Sequence, residues 1–209
     1  MLTKAQAKVL TKALATGLAV GLLAGCGAAT GSSGDEQMTG TVLDPPFEVN
    51  GAALVEGSSP YSLVEDTDKD LTLVFFGYTH CPEICGIVMS TLASAMTRLS
   101  DDERDRVDVV FVTTDPARDT PEVATSYATN FDPAFIGVSG DLETIIEVAK
   151  PLGIAVEKGD KLPSGGYEVT HGTQVVAIDG EDGGIAYWSQ DVSPAQLADD
   201  ITHLLSERS

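Results

Sequence analysis

The chain has 209 residues, 12 of them Lys or Arg and 32 Asp or Glu, for a formal net charge of −20. So acidic a surface is repelled by phosphate backbones, which argues against nucleic acid as a partner. Three cysteines in this length also exclude a miniature scaffold held together by disulfides, while the chain is long enough for one domain with its own core.

The chain opens with Lys4, Lys8 and Lys12 and no acid, followed by the apolar run ALATGLAVGLLA and then Gly25-Cys26. This is the layout of a secretory signal, and the run is short of the ~20 residues that span a bilayer comfortably. LAGC looks like a bacterial lipobox. Residues 1–25 are therefore expected to be a lipoprotein signal peptide, with Cys26 lipidated as the new N-terminus. An uncleaved membrane anchor, the alternative, would reach the same extracytoplasmic face of the bacterial cell membrane. Loss of the three lysines deepens the net charge from −20 to −23. GAATGSSGDEQMTG is nearly devoid of apolar side chains, so residues 26–44 are expected to form a flexible tether, and 45–209 the folded domain.

Within that domain the hydrophobic period changes repeatedly. FEVNGAALV carries Asn50-Gly51 between apolar residues and predicts an N-terminal β-hairpin. LTLVFF (71–76) has the continuous apolar character of a strand buried on both faces. From Pro82 to Leu99, Ile84, Val88, Leu92, Ala95 and Leu99 recur at helical spacing. VDVVFVTT predicts a second buried strand, and TPEVATSYATNF a helix capped by Thr120 with Pro121 at its first position. FIGVSG is a short strand, and DLETIIEVAKPLG a helix begun by Asp141 and stopped by Pro151 and Gly153. KGDKLPSGGYEVTH reads as a polar, glycine-rich connection. TQVVAID and IAYWS predict two more strands around GEDGG, before a last helix in SPAQLADDITHLL. This order implies an α/β thioredoxin-like fold with a mixed central sheet and flanking helices.

Cys81 and Cys85 fall where the first central strand becomes a helix, at the carboxyl edge of the sheet where such folds bind ligands. Cys81 is expected at the N-cap with Pro82 at the first helical position, where free N–H groups and the helix dipole favour a thiolate. Cys85, four residues on, lies on the same face, so both sulfurs can point at one object. Three objects fit. A structural disulfide closing five residues would contribute only on the order of 2 kcal/mol in the loop-closure model, which a domain of this size hardly needs. A redox disulfide suits a helix N-terminus, although the thioredoxin motif has two intervening residues rather than three. A metal held by two thiolates would be Cu(I) or Zn(II).

A third ligand would have to come from the three histidines. His80 adjoins Cys81 and is expected to point away from the sulfurs, and His203 sits among apolar neighbours in the last helix. His171 ends the polar connection before TQVVAID, and spacing alone does not bring it to the cysteines. Asp115, Arg118 and Asp119, in TTDPARDTPE, follow the next central strand and should emerge at the same edge. Asp115 is expected to support or dock at the site, or to serve as a turn carboxylate. Asp119 is expected to support the turn ahead of Thr120, and Glu83 to be an acid complementing the helix dipole.

FFGYTHCPEIC, TTDPARDTPEVATSYATNFDPAFIGVSG and YEVTHGTQVVAID resemble, in order and spacing, the signature segments of the Sco/SenC family of copper proteins of cytochrome c oxidase assembly. The resemblance runs from about Phe47 to the end of the chain. It implies that Cys81, Cys85 and His171 match the family's copper ligands, holding Cu(I) and also Cu(II). It implies as well an extracytoplasmic, membrane-anchored metallochaperone whose acceptor is subunit II of cytochrome c oxidase with its CuA centre. A copper donor and a thiol reductant would be further partners. The alternative is a thiol-disulfide oxidoreductase that keeps the oxidase cysteines reduced, with a thiol peroxidase as the outsider. On the leading reading the chain is a metal carrier rather than an enzyme. One departure is Gly86, where the family commonly has proline; glycine inside a helix costs up to ~1 kcal/mol relative to alanine.

Overall fold

The structure, a computed structural model, describes residues 38–67, 69–161 and 167–208, and of residues 158–161 and 167–171 the backbone only. The expected signal peptide, Cys26 and the first part of the expected tether lie outside the described residues. Ten strands and five helices are formed among those described. They are β1 (Thr41–Glu48), β2 (Leu54–Glu56), β3 (Ser59–Tyr61), β4 (Leu71–Gly77), α1 (Ile84–Met96), α2 (Asp101–Arg104), β5 (Val107–Thr113), α3 (Pro121–Thr129), β6 (Ile136–Val138) and α4 (Leu142–Ala149). Then come β7 (Val156–Lys161), β8 (Tyr167–His171), β9 (Val175–Asp179), β10 (Gly183–Trp188) and α5 (Pro194–Ser206).

Six strands form the central sheet in the order β1-β10-β9-β4-β5-β6. β4, β5 and β6 are parallel, whereas β9, β10 and β1 add on antiparallel, which makes the sheet mixed. The apolar runs of β4 and β5 serve two cores at once, because alternate side chains leave opposite faces of the sheet. Leu71, Leu73 and Phe75 pack with Met89 and Leu92 of α1 and Ile201 of α5, while Val74 and Phe76 pack with Ile145 and Val148 of α4. Helices on both faces of such a sheet, with a closing hairpin and helix, make the thioredoxin-like fold.

The local signals for the later helices are realised. Thr120 accepts from the Val123 N–H with Pro121 at the first position of α3. Ser193 and Gln196 form a reciprocal capping box on α5. Gly153, at φ +70°, ends the turn after α4.

Three expectations are corrected. The N-terminal hairpin is β2–β3, turning through Gly57 and Ser58 rather than through Asn50-Gly51. The side chain of Asn50 instead accepts from the Ala52 N–H at 2.8 Å in a local turn, and the residues before it pair with distant β10. The sheet therefore begins at Thr41, inside the stretch expected to be tether. Finally, the polar connection before β9 contains a two-stranded hairpin, β7–β8, with Val156 opposite His171.

Candidate metal centre

Parallel neighbours deliver their exits side by side, so β4 and β5 release Tyr78–Pro82 and Thr114–Thr120 at one edge of the sheet. Helix α1 starts at Ile84, three residues after Cys81, so Cys81 is not the N-cap. That position is Glu83, whose side chain makes no capping bond. The cysteine takes over the capping task. Its sulfur accepts the Cys85 N–H at 3.3 Å, satisfying one of the free donors of the first turn. Neither cysteine is joined in a disulfide; Cys81 is half-buried, and Cys85 is fully buried against the end of β4. Gly77 makes room for it, since a Cβ there would stand 3.2 Å from the Cys85 sulfur and 2.9 Å from the Phe75 ring. Gly86 faces open space, where a Cβ would meet nothing within 4 Å.

Burial pushes the Cys85 thiol far up, and its bond to the Cys81 sulfur pushes the same way. The pair therefore meets a metal with at least one proton to lose, and binding should strengthen as pH rises. In the reduced, metal-free protein Cys81 is expected to be alkylated well before Cys85. Because the reactive form is the thiolate, the Cys85 rate should still be climbing at pH 10, and equal rates at neutral pH would contradict this burial.

The acidic residues of the second exit support this turn. Asp119, fully buried, accepts the Thr79 N–H at 2.8 Å, the Thr79 hydroxyl at 2.5 Å and the Thr113 hydroxyl at 2.7 Å. It ties the cysteine turn to β5, a larger role than the turn before Thr120. Asp115, also buried, pairs with Arg118, and the Arg118 guanidinium carbon lies 6.0 Å from the centre of the Tyr78 ring. Tyr78 hydrogen-bonds Cys81, and its hydroxyl is held above its ordinary pKa, first by burial and then by the charges of the two cysteines. Tyr78 is the contact that sequence reasoning missed. Its place three residues before Cys81, where the chain turns and the Cys81 N–H returns to the Tyr78 carbonyl at 3.2 Å, was the available signal.

His80 is exposed and faces Thr79 and Asp119, with Nδ1 3.0 Å from the Thr79 hydroxyl and 3.6 Å from Asp119. His203 lies 3.7 Å from Glu207 on the exposed side of α5. His171 ends β8, with the following Gly172 N–H bonded to the Ala155 carbonyl at 3.1 Å, and the chain enters β9 at Val175. Val175 stands opposite Phe75 of β4. The backbone at residue 171 thus arrives at the same sheet edge as the cysteines, by way of the neighbouring strand. Its side chain lies outside the described residues, and among the described residues no three His, Cys, Asp or Glu side chains converge as a metal-binding group. Two soft sulfur donors on one turn nevertheless fit a thiophilic metal that takes its remaining ligand from a neighbouring segment.

The SCO1/SenC family model matches residues 59–206. SenC of Rhodobacter capsulatus is 30% identical over 163 residues, 72% of this chain and 72% of that protein. The chain spans about half the length of several other curated relatives it matches. Among solved structures, apo Sco1 of Thermus thermophilus is similar with a TM-score of 0.73 and 32% identity, over 80% of this chain and 96% of that one. ScoI of Bradyrhizobium japonicum, solved with copper bound, is similar with a TM-score of 0.65 and 26% identity, over 75% and 99% of the two chains.

Proposed function

The chain belongs to the SCO1/SenC family, and we propose that it is an extracytoplasmic carrier of copper, lipid-anchored through Cys26, with Cys81, Cys85 and His171 as its ligands. The observation that carries this reading is the pair of thiols, in no disulfide, one on the turn after β4 and one in the first turn of α1, at the sheet edge beside the strand that leads in from residue 171. Two thiolates and a neutral imidazole around Cu(I) sum to a charge of −1, and soft donors of this kind also hold Cu(II). A site on a turn at the sheet edge leaves room for an acceptor's ligand to engage the metal before the carrier's ligands release it. We take that acceptor to be the CuA centre of cytochrome c oxidase subunit II. A copper donor must load the site, and a thiol reductant must keep the pair reduced.

The second reading has an observation of its own. Two cysteines in mutual contact, one buried and one accessible, are the arrangement of a dithiol reductant, in which the accessible sulfur attacks and the buried one resolves the mixed disulfide. A copper titration of reduced protein lacking residues 1–26 separates the two. One Cu(I) per chain is expected, and a protein that retains none would leave the reductase reading in its place.

A further inference from the structure

Three groups of one residue touch the cysteine pair. The Tyr78 carbonyl accepts the Cys81 N–H at 3.2 Å, its N–H donates to the Cys85 sulfur, and its hydroxyl donates to the Cys81 sulfur. The backbone from which Tyr78 leaves the sheet is fixed, because the Gly77 carbonyl accepts the Thr114 N–H at 2.6 Å and the Thr114 hydroxyl at 3.0 Å. The ring is held as well. It is half-buried on the same core as Cys81 and Ile84, and the Arg118 guanidinium, bound by the buried carboxylate of Asp115, stands 6.0 Å from its centre. From Asp115 through Arg118 and Tyr78 to Cys81, each group polarises the next, and the positive guanidinium makes the hydroxyl a better donor.

The two sulfurs are therefore unlike. Cys85 is fully buried, whereas Cys81 is half-buried and accepts both the Cys85 N–H, at 3.3 Å, and the Tyr78 hydroxyl. A hydrogen bond to a thiolate draws off charge that the sulfur would otherwise give to a metal, and it stabilises the thiolate once the metal has left. On the reading of the pair as copper ligands, we propose that Tyr78 makes Cys81 the releasing ligand, its hydroxyl receiving the sulfur as copper moves on to an acceptor. In that step the bond between copper and the Cys81 sulfur breaks as a bond to an incoming ligand forms. The electron pair stays on the Cys81 sulfur, copper keeps its oxidation state, and the Tyr78 proton remains on its oxygen. Cys85 lets go last, from its buried position.

Tyr78→Phe keeps the ring and removes only the hydroxyl, so a loosened site and a lost hydrogen bond act on release in opposite directions. A looser site would give up copper faster. Loss of the hydroxyl should slow the transfer of Cu(I) from the reduced full-length protein in detergent to excess bathocuproine disulfonate by about 10-fold, as one hydrogen bond to a charged group implies. In the Cu(II) form the sulfur-to-copper charge-transfer band should move to longer wavelength, since a sulfur with more charge to give needs less energy to give it. 3-Fluorotyrosine placed at position 78 alone is a stronger donor of nearly the same shape, and should move the band to shorter wavelength. It reads the same bond without a change of packing should the phenylalanine variant not fold. Transfer from folded Tyr78→Phe as fast as from the parent or faster, or a band unmoved by either replacement, would overturn the part given to Tyr78. A parent protein that takes up no copper would overturn the copper reading itself, so the two failures are told apart.

Discussion

Replacing His171 by Ala is expected to lower Cu(I) retention at least ~100-fold, while leaving the reaction of the dithiol with a small disulfide within a few-fold of the parent. The asymmetry follows from what each reaction needs. Thiol exchange uses only the two sulfurs, and these sit on the turn after β4 and in the first turn of α1, held by bonds that do not involve residue 171. Copper carriage needs a further donor to complete the coordination of the metal, and residue 171 is where the chain arrives at the same edge. Cells depending on the variant should lose oxidase activity when copper is scarce and regain part of it when copper is added. Cys81→Ser and Cys85→Ser should abolish both reactions. Normal copper binding and oxidase assembly in His171→Ala, with assembly lost in either serine variant, would transfer the function to thiol reduction.

Asp119→Ala should be strongly destabilising although Asp119 is not itself a proposed ligand. It strips the acceptor from one backbone N–H and two hydroxyls in a fully buried position, which costs about 2–4 kcal/mol. For a domain of this size that corresponds to a melting temperature roughly 5–15 °C lower. The lost bonds include those on Thr79, two residues before Cys81, so copper should also dissociate faster than stability alone requires. Asp119→Asn, which keeps an acceptor oxygen, should be milder on both counts. A melting temperature within a degree of the parent for Asp119→Ala would show that the turn is held in another way.

The fold was legible wherever local chemistry and tertiary context agree. The apolar runs of β4 and β5 could only be strands covered on both faces, and Thr120-Pro121 and Ser193 carry caps whose partners lie three residues away. Asn50-Gly51 misled because its turn chemistry is local while the pairing partner of β1 is β10, far along the chain. The β7–β8 hairpin was hidden for the opposite reason, since its strands carry Lys158, Gly159, Asp160 and Lys161 rather than an alternating apolar pattern. At the site, the cysteine pair announced itself by spacing. The start of α1 did not, because the cysteine sulfur rather than a helical Pro82 meets the first turn. The clamp of Asp119 on Thr79 joins the exits of two strands that are neighbours only in the folded sheet, and spacing within TTDPARDTPE cannot express it. That the backbone at residue 171 leads to the sheet edge where β4 ends depends in the same way on β9 pairing with β4.

The metal's own ligands are measured directly by X-ray absorption of the Cu(I)-loaded protein lacking residues 1–26. Two sulfur scatterers and one imidazole nitrogen are predicted, with the nitrogen lost in His171→Ala. A first shell without sulfur, or one unchanged by removal of His171, would contradict the account.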